Sequence, residues 1–307
     1  MHFADRLQHA IDKTDSRIVI GIDPDPMRIF APGSKLQQSF SGKSKEHLLE
    51  TFCVMVIDVA KQYACAVKPQ AAFFESMGIT GLTVLSRIIK YARNLGIPVI
   101  LDAKRGDIGN TGRAYAAAYL HPKSDFFVDA LTINPFLGPD TLEPFVEMAN
   151  ENDCGLFVLV KTSNPGSSAF QDLKVTEEDC TSVQTVFEKV AASVAAIGNL
   201  NLGNCNFSNV GAVVGATYPE NLTRLRQLMP RTIFLLPGYG AQGGTAEDVK
   251  PAFLKDGRGA LVSSSRQIIF AYEQLDDLRP APEEIYQAIA DAARKTRDDV
   301  NCAIASI

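Results

Sequence analysis

Residues 83–103 read TVLSRIIKYARNLGIPVILDA, and two periodicities meet inside this stretch. Val84, Leu85, Ile88, Ile89, Ala92 and Leu95 recur at helical spacing and so share one face. Gly96 suits the C-terminal cap of that helix, and Pro98 blocks its continuation. The next residues, 99–103, form a short apolar run of strand type. Helix, glycine, proline, strand is the joint of a repeating α/β unit.

Moving outward, the same unit recurs along the chain. Strands are expected at Ile18–Ile22 and at residues 64–67, 99–103, 126–133, 155–160, 210–215, 232–236 and 259–262. Helical patterns cover 48–63, 182–197 and 219–228, with Pro219 suited to a first helical turn. Eight strands at this spacing predict an α/β fold, a single-domain (β/α)8 TIM barrel over residues 1–307. An open doubly wound sheet is the competitor. It calls for a GxGxxG-type turn after an early strand, and residues 20–26, IGIDPDP, do not supply one. Two connections are longer than a plain barrel needs, 24–45 and 163–178. Each follows the C-terminal end of a strand, where barrels build binding loops, so a lid or binding element is expected there. Residues 301–307 read as a peripheral tail.

Bulk properties narrow the function classes. The net charge is −5 and no basic run is interleaved with aromatics, so nucleic acid is not an expected partner. No apolar stretch approaches the roughly 20 residues that span a bilayer, so no membrane is expected. The opening residues lack the apolar core of an export signal. The six cysteines contain no CxxC pair, which fits reduced thiols and a cytoplasmic location. The four histidines, His2, His9, His47 and His121, have no partners at metal-ligand spacing, so no metal is expected.

The chemistry concentrates at strand ends. Residues 101–111 read LDAKRGDIGNT. Side chains two apart on a strand share a face, so Asp102 and Lys104 are expected to project together, with Asp107 in the loop beyond. A solvated charged turn is the competing reading. Residues 64–69, ACAVKP, raise the odds for a site, because Lys68 closes an apolar run and a buried lysine needs a partner. Asp102 and Asp107 are the natural partners, and an alternating array would keep both lysines charged. Two glycine-bearing segments, PGYGAQGGT at 237–245 and GALVSSSR at 259–266, fall at the ends of strands 7 and 8. Barrels commonly hold phosphate there, and Arg266 would add a charged hydrogen bond. Asp23 in IGIDPDP is either an acceptor at the mouth or a turn former before Pro24. Thr162 and Ser163, in LVKTSNPGS, would face a polar base edge or simply open a turn.

These residues resemble the orotidine 5'-phosphate decarboxylase family over most of the chain. The family pattern D-x-K-x-x-D followed by I-G-N-T is met by Asp102, Lys104, Asp107 and residues 108–111. The KPQ, NPFLG, VKTSNPGS and PGYGAQGG segments resemble its longer bacterial-type branch. The resemblance implies a cofactor-free enzyme that removes CO2 from orotidine monophosphate (OMP) to give UMP. It implies that Lys68, Asp102, Lys104 and Asp107 are the catalytic tetrad, in a homodimer where Asp107 and Thr111 serve the partner's site. It further implies a ribose contact for Asp23, a pyrimidine contact for Ser163 or the adjacent Thr162, and phosphate contacts for Gln242 and Arg266. The shorter branch carries K-x-H after the strand-2 lysine, whereas Gln70 stands here in place of that histidine.

Three rivals remain at this level. A metal-dependent sugar-phosphate enzyme on the same barrel would, by resemblance, carry an acidic ligand where Lys68 stands. A Schiff-base aldolase is disfavoured, since flanking aspartates keep the amines charged. A non-catalytic nucleotide binder has no need of two lysines and two acids.

Overall fold

The computed structural model describes residues 1–176, 183–216, 219–240 and 243–307. Among the described residues there are ten strands: β1 (Ile18–Ile22), β2 (Ala66–Pro69), β3 (Ile100–Arg105), β4 (Ala130–Ile133), β5 (Gly155–Lys161), β6 (Lys174–Thr176), β7 (Val183–Thr185), β8 (Val210–Val214), β9 (Phe234–Leu236) and β10 (Ala260–Ser264). Eight of them form one sheet in the order β2-β1-β10-β9-β8-β5-β4-β3. Every pairing in it is parallel. Bridges from Val67 to Val99 and from Gln70 to Asp102 join β2 to β3 and close the ring. The expected TIM barrel is therefore the fold.

Strand alternation sorts side chains to the two faces of the ring. On β1, Ile18, Ile20 and Ile22 pack outward with the helices, while Val19 joins the inner cluster. That inner cluster takes Ala66, Ile100, Ala130, Phe157, Val213, Leu235 and Leu261 from the other strands. It continues into Phe3, Leu7 and Ile11 of the helix Phe3–Thr14. The first helix thus plugs the N-terminal end of the barrel. Phe3 meets Phe157 edge to face at 6.2 Å, and a Cβ on Gly155 would stand within 2.3 Å of the Phe3 ring. With that end filled, a ligand enters at the C-terminal mouth, where barrel enzymes bind their substrates.

The helices follow the expected pattern with shifted ends. The stretch read at 83–95 lies in the helix Gly78–Asn94, and Gly96 takes φ +75° just beyond it. The pattern at 48–63 belongs to Lys45–Tyr63, and Pro219–Leu228 stands as read. The helix expected from 182 is Val186–Gly198, started by a capping box between Thr185 and Glu188, and Ser182 lies outside the described residues. The tail expected at 301–307 to be peripheral is instead mostly the last turn of a 23-residue helix, Pro282–Ile304, and buries Ala303 and Ile304.

The two long connections differ from each other. Segment 24–45 holds two short helices, Pro26–Ile29 and Lys35–Ser39, whose Ile29 and Leu36 are buried. It is strapped to the chain that follows β10. Arg28 stacks 3.7 Å from the Phe270 ring and pairs with Glu273, Lys35 donates to the Glu273 carbonyl at 3.0 Å, and Ser39 donates to the Pro280 carbonyl at 2.6 Å. In this structure the segment is a packed strap, and none of these residues lines the cavity at the mouth. The other connection turns through a 3-10 turn at Pro165–Ser167 and a short helix, Ser168–Gln171, into an antiparallel hairpin of β6 and β7. Residues 177 and 178 of that expected loop, and Cys180, lie outside the described residues. Among the described residues no helix is long and apolar enough to cross a membrane.

Candidate active site

One step beyond the inner apolar layer, at residue i+2 on four of the strands, the same face turns polar. Ala66 leads to Lys68, Ile100 to Asp102, Ala130 to Thr132, and Leu261 to Ser263. On β1, Val19 leads through Gly21 to Asp23. All five polar side chains line a cavity of about 450 Å3, together with Lys104, Gln70, Thr162, Ser163 and Arg266. That size suits a small-molecule site.

At its floor the carboxylate of Asp102 holds four groups. Lys68 Nζ lies 2.8 Å and Gln70 Nε2 3.1 Å from Oδ2, while Lys104 Nζ lies 2.6 Å and Thr132 Oγ1 3.0 Å from Oδ1. Lys68 and Asp102 are buried, and the Lys104 side chain is 47% exposed to the cavity mouth. Burial opposes the Asp102 charge, but the Lys68 and Lys104 ammoniums outweigh it and hold the carboxyl well below its ordinary range. Burial likewise opposes the Lys68 charge, and Asp102 with Asp23 overcomes it, so its pKa stands above the usual lysine value. Asp102 and Lys68 therefore stay ionised at neutral pH. The site is a fixed plus–minus–plus row with one end open.

The route by which Asp102 and Lys104 come together is not the expected one. The β3–β4 register runs Leu101 to Leu131 and then Arg105 to Ile133, so β3 carries two extra residues across this step. Lys104 sits in the bulge with φ +49°. Such a conformation costs a non-glycine residue on the order of 1–3 kcal/mol and persists only where its surroundings enforce it. Thr132 does the enforcing. Its hydroxyl accepts from the Ala103 and Lys104 N–H groups at 3.0 and 2.9 Å and donates to Asp102. Two amides that leave the ladder are thereby satisfied, and Lys104 is turned onto Asp102. Sequence reading missed Thr132 and Gln70. Period 2 held the signal, since each stands two residues beyond an inward-facing position.

The mouth is built by three further loops. Asp23 lines the cavity, and its Oδ1 is buried without a hydrogen-bond partner among the described residues. After β9, Gly238 and Gly240 take φ +103° and +71°. A Cβ on Gly240 would strike the Gln267 side chain at 1.8 Å, so this turn packs directly on the short helix Arg266–Ile269. The two segments expected to share a phosphate thus touch, with Arg266 exposed toward the cavity and unpaired among the described residues. Gln242 lies outside the described residues. After β5, the Thr162 hydroxyl donates to Asn164 Oδ1 at 2.7 Å and accepts from Gln171 Nε2 at 2.9 Å, whereas the adjacent Ser163 hydroxyl makes no such bond among the described residues.

Two expected residues stand apart. Asp107 Oδ1 accepts from the Ile108 N–H at 2.8 Å, and no bond joins it to Lys68 or Lys104 within this chain among the described residues. Thr111 is exposed on the helix Gly109–Leu120. Around them lie the exposed apolar side chains of Ile108, Phe136 and Leu137. The loops after β3 and β4 form one edge, because Asn134 N–H donates to the Arg105 carbonyl at 2.8 Å. Among the described residues no group of three or more His, Cys, Asp or Glu is placed to hold a metal ion.

Comparison with known proteins bears on the chain as a whole. Residues 5–280 match the family model described as orotidine 5'-phosphate decarboxylase / HUMPS. The orotidine 5'-phosphate decarboxylase of Rhodopirellula baltica is 43% identical over 95% of this chain and 96% of its own. That of Deinococcus radiodurans is 46% identical over 81% and 84%. The solved OMP decarboxylase of Leishmania donovani matches all of both chains at 32% identity, with a TM-score of 0.74. The family model spans most of the chain and the relatives carry the same description, so the chain belongs to the orotidine 5'-phosphate decarboxylase / HUMPS family.

Proposed function

We propose that the protein is an orotidine 5'-phosphate decarboxylase that converts OMP to UMP and CO2 without a cofactor, in the cytoplasm and as a homodimer. The observation that carries this reading is the Asp102 carboxylate held between the Lys68 and Lys104 ammoniums, at 2.8 and 2.6 Å, on the floor of a closed-bottomed cavity. Breaking the bond from C6 of the pyrimidine to its carboxylate leaves an electron pair at C6, in the ring plane and out of conjugation. Fixed positive charge beside that carbon lowers the barrier. Lys104, the half-exposed member of the row, stabilises the pair and then gives C6 its proton. Asp102 orients Lys104, Lys68 completes the row, and Asp107 enters from the partner.

The remaining roles follow from the layout of the mouth. Asp23 accepts from the ribose hydroxyls, supported by its unpartnered oxygen. Ser163 contacts the pyrimidine, supported by the engagement of the Thr162 hydroxyl elsewhere. Arg266 and Gln242 hold the phosphate. The dimer rests on the separation of Asp107 from the other three residues, on an edge with exposed apolar side chains that a second copy would cover. The cytoplasmic location is supported by free thiols at all five described cysteines. A metal-dependent sugar-phosphate enzyme is disfavoured because Lys68 occupies the strand-2 position of the acidic ligand.

The direct test is to mix the purified protein with OMP and follow ultraviolet absorbance. A fall in absorbance with stoichiometric CO2 release, unaffected by a chelator, is expected. Stable absorbance would end this reading. Arg266→Ala is expected to weaken affinity for OMP and UMP about 10- to 100-fold, the range for one charge-assisted hydrogen bond, with a much smaller change in kcat. Steady-state kinetics with UMP titration checks this, and unchanged constants would move the phosphate site elsewhere.

A further inference from the structure

Lys161 is a buried cation that the proposed chemistry does not use. It ends β5 with its side chain 1% exposed. The β5–β8 register steps from Leu159–Val213 to Lys161–Val214, so one extra residue in β5 breaks the alternation. The break sends Lys161 to the outer face, where Nζ sits 5.6 Å from the centre of the Phe187 ring, and lets Thr162 and Ser163 line the cavity. There Nζ bonds Asp172 Oδ1 at 2.6 Å and Ser167 Oγ at 3.4 Å. The neighbouring Gln171 grips Thr162 twice. Its Oε1 accepts the Thr162 N–H at 2.9 Å and its Nε2 donates to the Thr162 hydroxyl at 2.9 Å. Thr162 in turn fixes Asn164. From the other side, Gly215 donates its N–H to the Lys161 carbonyl at 2.7 Å, and a Cβ on it would stand 2.9 Å from the Ser163 backbone. Ser163 is therefore pinned on both flanks and against β8.

We propose that Lys161, Gln171 and Asp172 form a clamp that positions Ser163 for recognition of the pyrimidine base. This rests on the base contact assigned to Ser163 above. A buried ion pair is weak as a source of stability, and an apolar residue of like size often replaces one at little cost. Its value here is placement. Asp172 is 41% exposed, so methionine at 161 leaves that carboxylate solvated.

The test compares two ligands, UMP and ribose 5-phosphate, by titration calorimetry on the wild type, Lys161→Met and Gln171→Ala, with melting curves for each. In both variants UMP affinity is expected to fall about tenfold, the scale of one lost hydrogen bond, while ribose 5-phosphate affinity stays within about twofold. Equal weakening of both ligands would show a general loosening of the site and overturn the proposal, as would unchanged UMP binding. If Lys161→Met does not fold, Gln171→Ala decides alone. A wild type that binds UMP but leaves OMP intact would overturn the decarboxylase reading, and the ligand comparison would still judge the clamp. A wild type that binds neither ligand would overturn both.

Discussion

Replacing Lys104 with alanine is expected to lower kcat for OMP by about 10⁴- to 10⁷-fold while the fold survives. The size combines two losses, a positioned proton donor worth roughly 10²–10⁴ and a fixed charge worth roughly 10²–10³. The survival of the fold follows from what the side chain does not do. It is 47% exposed, so no core cavity opens. The bulge is held through the Lys104 N–H and the Thr132 hydroxyl, which alanine leaves in place. Asp102 keeps Lys68 and Gln70, so no buried carboxylate is left alone. Alanine at φ +49° carries the same strain that lysine already bears. A melting temperature within a few degrees of wild type, with turnover measured by loss of OMP absorbance, checks both halves. Near-normal turnover would remove Lys104 from the mechanism.

Most of this site is legible from residue spacing, and the exceptions share a cause. Lys68, Asp102 and Asp23 lie where period 2 on a strand puts them, because each chain segment keeps its alternation up to that residue. The same rule places Lys104 beside Asp102, yet the chain reaches that arrangement through a bulge and a left-handed residue. Lys161 shows the rule failing, since one extra residue in β5 turns it out of the barrel. Bulges arise from pairing with the neighbouring strand, which no local pattern records. The fold was legible for a related reason. Eight apolar runs at barrel spacing survive errors of a residue or two at each end, as at β2, expected at 64–67 and found at Ala66–Pro69. The strap at 24–45 read as a loop because its two helices are only four and five residues long and are held by contacts more than 200 residues away. The β6–β7 hairpin, three residues a side, is equally short for any periodicity.

The dimer proposal carries the sharpest remaining consequence. Asp107→Ala alone is expected to cost roughly 10³-fold or more in kcat/KM, the range for a group that supports charge in the transition state. That loss does not say whose site Asp107 serves, but a mixture of two inactive variants does. In a twofold dimer with a shared site, each site takes Lys104 from one chain and Asp107 from the other. Pairing a Lys104→Ala chain with an Asp107→Ala chain puts both defects into one site and leaves the second intact. Random association makes half the dimers mixed, each with one working site of two, so about a quarter of wild-type activity should return. Were Asp107 to act within its own chain, both sites of the mixed dimer would be defective and activity would stay at the floor. Co-expression with two affinity tags, isolation of the doubly tagged species, in which about half of wild-type activity is then expected, and assay with OMP separates the outcomes. Within one chain Asp107 bonds only the neighbouring Ile108 N–H among the described residues, so the returning activity is the result expected here.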